Sequence, residues 1–374
     1  MYSDTDLEAA VAAGALTPEA ATSLRSFVAG SRATPLVDEE HFRLLTGFND
    51  IFVGIAAAIL LLAVGWIGYY VPPNIEGDGP SPFMGLFVAV TAWGLAEFFT
   101  RQRRMALPSI ILLLAFVGGV MATTVFGLVS MIGVESFEDN GAAFTLVLSA
   151  GAALGAAAAW LHWRRFRVPI TVAAGAAAVV AVVLGLIAST LIGDGQNISD
   201  ERGEQIKALL EGAGLVLGIG VFIFAMWWDS SDPRRETRRS DVAFWLHLLS
   251  APLIVHPIFS LLGLTEGTAS TMDGIAVILL YVVLGLVALG IDRRAMLVSA
   301  LAYVLYALNS LFETYGVVEL NVALTALIIG SALLLLSAFW HNARRAVVRP
   351  LPPSLQARLP VVDARRPEGA PLAA

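Results

Sequence analysis

Residues 241–260 place two histidines and two prolines inside a run that is otherwise apolar: Asp241-Val-Ala-Phe-Trp-Leu-His247, then Pro252 and His256-Pro257. Imidazoles are the side chains that exchange protons near neutral pH. Prolines inside a helix remove backbone hydrogen bonds, and the freed carbonyls need partners in protein or water. The combination predicts a kinked or broken helix. Nine residues separate His247 from His256, which puts them on opposite faces of a straight helix and about 13 Å apart along its axis. They cannot hold one metal ion or one haem together. Each either hydrogen-bonds to a neighbouring helix or handles a proton or ligand.

A second polar stripe follows. Tyr303, Tyr306, Ser310 and Glu313 recur at helical spacing, with Asn309 beside them. Glu313 is either a carboxylate at the membrane surface or part of a cavity. In the cavity reading, His256, Pro252, Pro257, Tyr306, Asn309, Glu313 and Tyr281 line a ligand site open to the outside, and His247, His256 and Glu313 handle protons. Two acidic–basic pairs at i,i+4 spacing, Glu97–Arg101 and Lys207–Glu211, read as ordinary structural pairs.

These residues are held by apolar blocks about twenty residues long. The chain of 374 residues is 57% hydrophobic and 14% charged, against about 25% charged in soluble domains. Blocks of this length cross a hydrocarbon layer as helices. Ten are visible, near 48–71, 82–99, 107–133, 142–163, 169–192, 206–228, 241–263, 273–291, 295–313 and 318–341. The fold class is therefore all-α, a polytopic transmembrane helix bundle. Ten spans also divide into five plus five, the count of an inverted repeat, although no residue-level similarity joins the halves.

Arginine positions orient the bundle. Arg101, Arg103 and Arg104 follow span two; Arg164, Arg165 and Arg167 follow span four; Arg234, Arg235, Arg238 and Arg239 follow span six. Arg293 and Arg294 follow span eight, and Arg344 and Arg345 follow span ten. The alternate loops carry Glu76, Asp78, Glu135, Glu138, Asp139, Asp194, Asp200 and Glu266, with Arg202 and Lys207 as exceptions. The positive-inside rule then places both termini in the cytoplasm. Trp160, Trp163, Trp227, Trp228, Trp245 and Trp340 fall at the same ends, where indoles favour the interface.

Three regions result: a cytoplasmic helical hairpin over 1–46, a membrane bundle over 47–342, and a disordered Pro-rich cytoplasmic tail over 343–374. In the hairpin, Gly14 suits a left-handed helix stop, and Thr17-Pro18-Glu19 reads as an N-cap followed by proline at the first helical position. No cleavable leader precedes the first apolar block. Gly151/Gly155 and Gly214/Gly218 form small-xxx-small pairs, between which Ala-rich span five could pack.

The run Leu7-Glu-Ala-Ala-Val-Ala-Ala-Gly14-Ala-Leu-Thr-Pro-Glu-Ala-Ala21, together with Phe48 to Val53 and Asp241 to Phe259, resembles a family of bacterial multi-pass membrane proteins known only as a domain of unknown function. In that family a short helical hairpin precedes many spans. The resemblance implies a multi-pass protein of the bacterial inner membrane and brings no catalytic or binding residues with it.

Several chemistries are excluded or unsupported. There are no cysteines, which removes disulfides, thiolate metal sites and thiol catalysis. Phosphate-binding loops, HExxH, serine elbows and dinucleotide fingerprints are absent, so neither metal nor cofactor is implied. Nucleic acid is not an expected partner, because the basic clusters are orientation signals. Membrane lipids are. The leading functional reading is a transporter-like or channel-like protein for a small solute or ion. Its rival is a membrane scaffold that binds a protein partner through the hairpin and tail. An intramembrane enzyme or haem protein comes third.

Overall fold

The computed structural model describes residues 10–24, 48–137, 140–193, 199–233, 235, 237–261, 271–294, 297, 301, 305 and 321–362. Two compact units divide the chain, one of residues 1–42 and 363–374, the other of 43–362. In the first, a helical turn ends at Ala12. Gly14 takes φ +70°, a conformation that glycine adopts without steric penalty. The Thr17 hydroxyl accepts the Ala20 N–H at 3.2 Å and caps the helix over 18–24.

The second unit is helical throughout its described elements. Its first seven helices are α1 (Phe48–Tyr69), α2 (Pro82–Ala96), α3 (Ala106–Ile132), α4 (Gly141–Phe166), α5 (Ile170–Ile192), α6 (Asp200–Ser230) and α7 (Arg238–Leu261). Among the described residues, these seven helices are long and apolar enough to span a membrane, α2 counted together with the π-helical turn Glu97–Gln102 that extends it. Then come α8 (Thr271–Ile291), α9 (Asn321–Ala338) and α10 (Trp340–Val348). The chain is an all-α polytopic membrane bundle, and its helices coincide with the predicted blocks to within a few residues, except that α6 begins six residues before its block. Block 295–313 lies almost wholly outside the described residues.

Local chemistry explains the boundaries. Ser81 caps α2 by accepting the Phe83 N–H, with Pro82 at the first helical position. Asn140 caps α4 through the Ala143 N–H at 2.8 Å. Sequential helices pack against one another along α1 to α5, and α6 packs against α7, with α5 touching both. Large apolar side chains remain exposed on the outer faces, for example Phe52, Ile59, Leu62 and Trp66 on α1. A bundle immersed in lipid has no reason to hide them.

Of the kink or break expected of helix α7 the break is absent, because the helix runs continuously through Pro252 and Pro257. Pro257 has no N–H for the carbonyl of Leu253, four residues back. That carbonyl faces α6 at Gly218, where a Cβ would stand 2.8 Å from Leu253 O and 2.8 Å from Leu253 Cβ. The glycine lets the α6 backbone close on the freed carbonyl, which keeps it out of hydrocarbon. The glycine pairs thus do not flank α5 as expected. Gly151 and Gly155 meet Val125 and Met121 of α3, while Gly214 and Gly218 meet Pro257 and Leu253 of α7.

Of the tail, residues 343–362 are described, and residues 363–374 lie outside the described residues. Within α10, Trp340, Arg344 and Val348 repeat every four residues on one buried face. The chain then turns through Pro353–Gln356 and returns, so that the Arg344 guanidinium donates to the carbonyls of Pro360 (2.6 Å) and Val361 (3.1 Å). The Val361 N–H reaches Pro233 O at 3.3 Å. The prolines shape this return, and a buried arginine anchors it.

Gly218→Ala should lower the thermal unfolding midpoint in detergent, with a loss of about 1–3 kcal/mol expected for overpacking. Gly220→Ala, where a Cβ meets nothing within 4 Å, should leave the midpoint unchanged or raise it. Equal effects at both positions would remove the seam argument.

Candidate functional site: a buried charge network at the basic end

The basic end is where the arginine-bearing ends of the helices meet. Asp229, in the last turn of α6, is 1% exposed. Arg293, just past α8, grips it with Nη2 at 2.7 Å from Oδ1 and Nε at 3.3 Å from Oδ2. The same Nη2 donates to Ser240 O at 3.1 Å, at the start of α7. His247 approaches the second carboxylate oxygen with Nε2 at 3.5 Å, long for a hydrogen bond. Its Nδ1 is buried without a hydrogen-bond partner. The ring packs at 5.3 Å from that of Phe222.

A second cluster centres on Asp292. Arg235 donates to its carboxylate at 3.1 Å and to the carbonyls of Ile291 and Asp292 at 3.2 and 2.9 Å. It thereby satisfies the open C-terminal carbonyls of α8. The Trp340 indole N–H donates to Asp292 Oδ1 at 2.7 Å, and Arg344 Nε lies 3.5 Å from the same oxygen. Arg235 and Asp292 both take positive φ, 55° and 57°. Such conformations persist where surrounding bonds over-determine them. Asp232 closes the loop below by accepting the Thr237 N–H (2.9 Å) and hydroxyl (2.7 Å).

Together these bonds tie α6, α7, α8, α10 and the returning tail at one end. Among the described residues, these bonds join the carboxylates of Asp229 and Asp292 to the guanidiniums of Arg293, Arg235 and Arg344, and Arg344 donates to the Pro360 and Val361 carbonyls as well. The arrangement can hold this end shut, and it places a protonatable imidazole against a carboxylate already engaged by arginine.

A smaller analogue joins the ends of α2 and α4. Arg165 grips Glu97 in bidentate fashion at 2.7 and 2.9 Å, and Arg101 adds 3.2 Å. These groups are partly exposed, so the pair contributes little to stability. At the opposite end, Lys207 lies 3.5 Å from Glu204, and Glu211 instead accepts the Ser260 hydroxyl of α7 at 2.6 Å.

The residues expected to line an outer cavity are placed as follows. Tyr306, Asn309 and Glu313 lie outside the described residues. Pro252 and His256 sit on the exposed side of α7, whereas Pro257 is buried. The Tyr281 hydroxyl is buried without a hydrogen-bond partner, and its ring packs beside the cluster formed by Phe259, Leu284 and Trp340. His247 and His256 stand on different sides of α7, as their spacing requires. His162 is fully buried, boxed by Phe166, Phe116 and Trp93, with Thr171 Oγ1 at 3.3 Å from Nδ1.

The network around Asp229 and Asp292 was not picked out in the sequence. Its signal was there: Asp229, Asp232 and Asp292 are acids in loops otherwise marked by arginine, and an acid at a spanning-helix end needs a partner. Comparison with protein-family models, curated proteins and solved structures gives no match.

Arg293→Gln should destabilise the protein by about 3–5 kcal/mol, because Asp229 would be left as an unpaired buried charge. The double variant Asp229→Asn/Arg293→Gln should recover a large part of that loss. Additive losses in a double-mutant cycle of unfolding measurements would show that the pair is not coupled.

Proposed function

We propose that the chain translocates a small solute or ion across the bacterial inner membrane, as a transporter-like or channel-like protein, with the basic end facing the cytoplasm in a closed state. The observation that carries this reading is the buried network of Asp229, Arg293, His247, Asp292, Arg235 and Arg344. Stability alone does not call for it, since apolar residues of similar volume commonly hold helices as well or better than buried ion pairs. Charged groups placed where membrane helices converge mark ion pathways and moving elements by default. Bonds of this type can exchange partners, so a closed end can open without leaving charges unpaired. The arginine distribution supports a cytoplasmic basic end. The likeness of Leu7 to Ala21 supports membership of the bacterial hairpin-bearing multi-pass family.

The alternative is a membrane scaffold. The ordered return of the tail onto α10 favours it, because that gives the basic end a fixed surface that a protein partner could read.

Full-length protein in liposomes is expected to dissipate an imposed proton, sodium, potassium or chloride gradient, or to admit a small neutral solute, faster than protein-free vesicles. The rate should change when Arg235 and Asp292 are replaced together by Gln and Asn. Tight vesicles in every case would overturn translocation and leave the scaffold. Orientation has its own check, helped by the absence of native cysteines. In intact cells Asp78→Cys should react with an impermeant maleimide, and Arg103→Cys should not; the reverse pattern would invert the topology.

A further inference from the structure

His247 is fully buried on α7, and its two ring nitrogens meet unlike surroundings. Nε2 stands 3.5 Å from Asp229 Oδ2. Arg293 Nε reaches the same oxygen at 3.3 Å, and Arg293 Nη2 takes Oδ1 at 2.7 Å. One carboxylate oxygen is thus shared between an imidazole and a guanidinium, and neither contact to it is short. Nδ1 has no hydrogen-bond partner among the described residues. The charged groups around the ring are Asp229 from α6, Arg235 from the loop after it and Arg293 from the end of α8. Helix α5 also packs against α7 and carries no ionisable side chain. Phe222 of α6 meets the imidazole edge to face.

A neutral imidazole fits this site with its hydrogen on Nε2, where the carboxylate accepts it. A second proton, taken from water onto Nδ1, does not fit. It makes Nδ1 a buried donor with no acceptor, and it sets a positive charge beside two guanidiniums. Asp229 can compensate that charge only by leaving Arg293, because both of its oxygens are already engaged. We propose that His247 is a proton-binding site whose occupation releases Arg293 from Asp229 and unlatches the basic end. The proposal rests on the reading of that end as a closed gate, and it makes the proton the ligand that opens it. Arg293 also holds Ser240 O. Its release therefore frees the first turn of α7 together with the ends of α6 and α8. Loss of the proton restores a neutral ring and lets the guanidinium return to the carboxylate.

The test is hydrogen–deuterium exchange of the full-length protein in lipid nanodiscs. It is read at about pH 5.5 and about pH 8, across the range in which imidazoles change charge, with each rate corrected for intrinsic exchange. The amides that report are Asp232 N–H, bonded to Asp229 O at 3.1 Å, and Arg293 N–H, bonded to Ala288 O at 2.9 Å. At the lower pH both should exchange about tenfold faster, the factor for one lost hydrogen bond to a charged group. Gly133 N–H, bonded to Val129 O at the end of α3, should not change. His247→Gln keeps an amide donor for Asp229 but takes up no proton, so its exchange should stay slow at both pH values. His247→Asn serves in its place if the glutamine variant lacks a wild-type melting curve. Equal wild-type exchange at the two pH values, a response that survives the His247 substitution, or a rise shared by Gly133 would overturn the proposal. The readout does not depend on transport. An end that loosens at low pH in vesicles that stay tight would overturn translocation and leave the proton site in place.

Discussion

The Asp229 carboxylate, buried at the last turn of α6 and gripped by Arg293 from beyond α8, is the contact on which the second half of the bundle depends. A lone carboxylate there would be expensive in a medium that cannot solvate it. The requirement for a cation draws the α8 end against the α6 end, and the same guanidinium then fixes the first turn of α7 through Ser240 O. Three helix ends are set by one ion pair. The neighbouring Asp292 repeats the logic with Arg235, Trp340 and Arg344, and carries it into the tail.

That arrangement assigns different roles to the two ends of the α6–α7 seam. At the basic end the seam is ionic and linked to several elements. At the other end Glu211 and Ser260 make one hydrogen bond. Between them the helices meet backbone to backbone, with Gly218 on the Leu253 carbonyl. The middle of the seam is too closely packed to connect the two polar ends.

The arginines at the basic end serve three purposes that look alike in sequence. Arg164, Arg167 and Arg294 lie over indole rings, at 5.2, 5.7 and 4.9 Å. Arg165 bridges two helix ends at the surface. Arg235, Arg293 and Arg344 are buried in ion pairs. One residue type suits all three because its guanidinium is planar, permanently charged and able to donate five hydrogen bonds.

The helices themselves were legible in the sequence, because a run of about twenty apolar residues has one stable outcome in lipid: a helix that satisfies its own backbone. Several boundaries were readable too, as at Thr17 and Pro82, since caps act within one turn. The charge network was not readable. Asp229 and Arg293 are 64 residues apart, and nothing in the neighbouring sequence tells which of Arg293 and Arg294 will reach the carboxylate. The surroundings of Pro257 were hidden for the same reason: the carbonyl it frees, that of Leu253, lies against Gly218 of another helix. Partner choice among like residues is decided only when the helices pack, because desolvation energy depends on what surrounds a group in space and not along the chain.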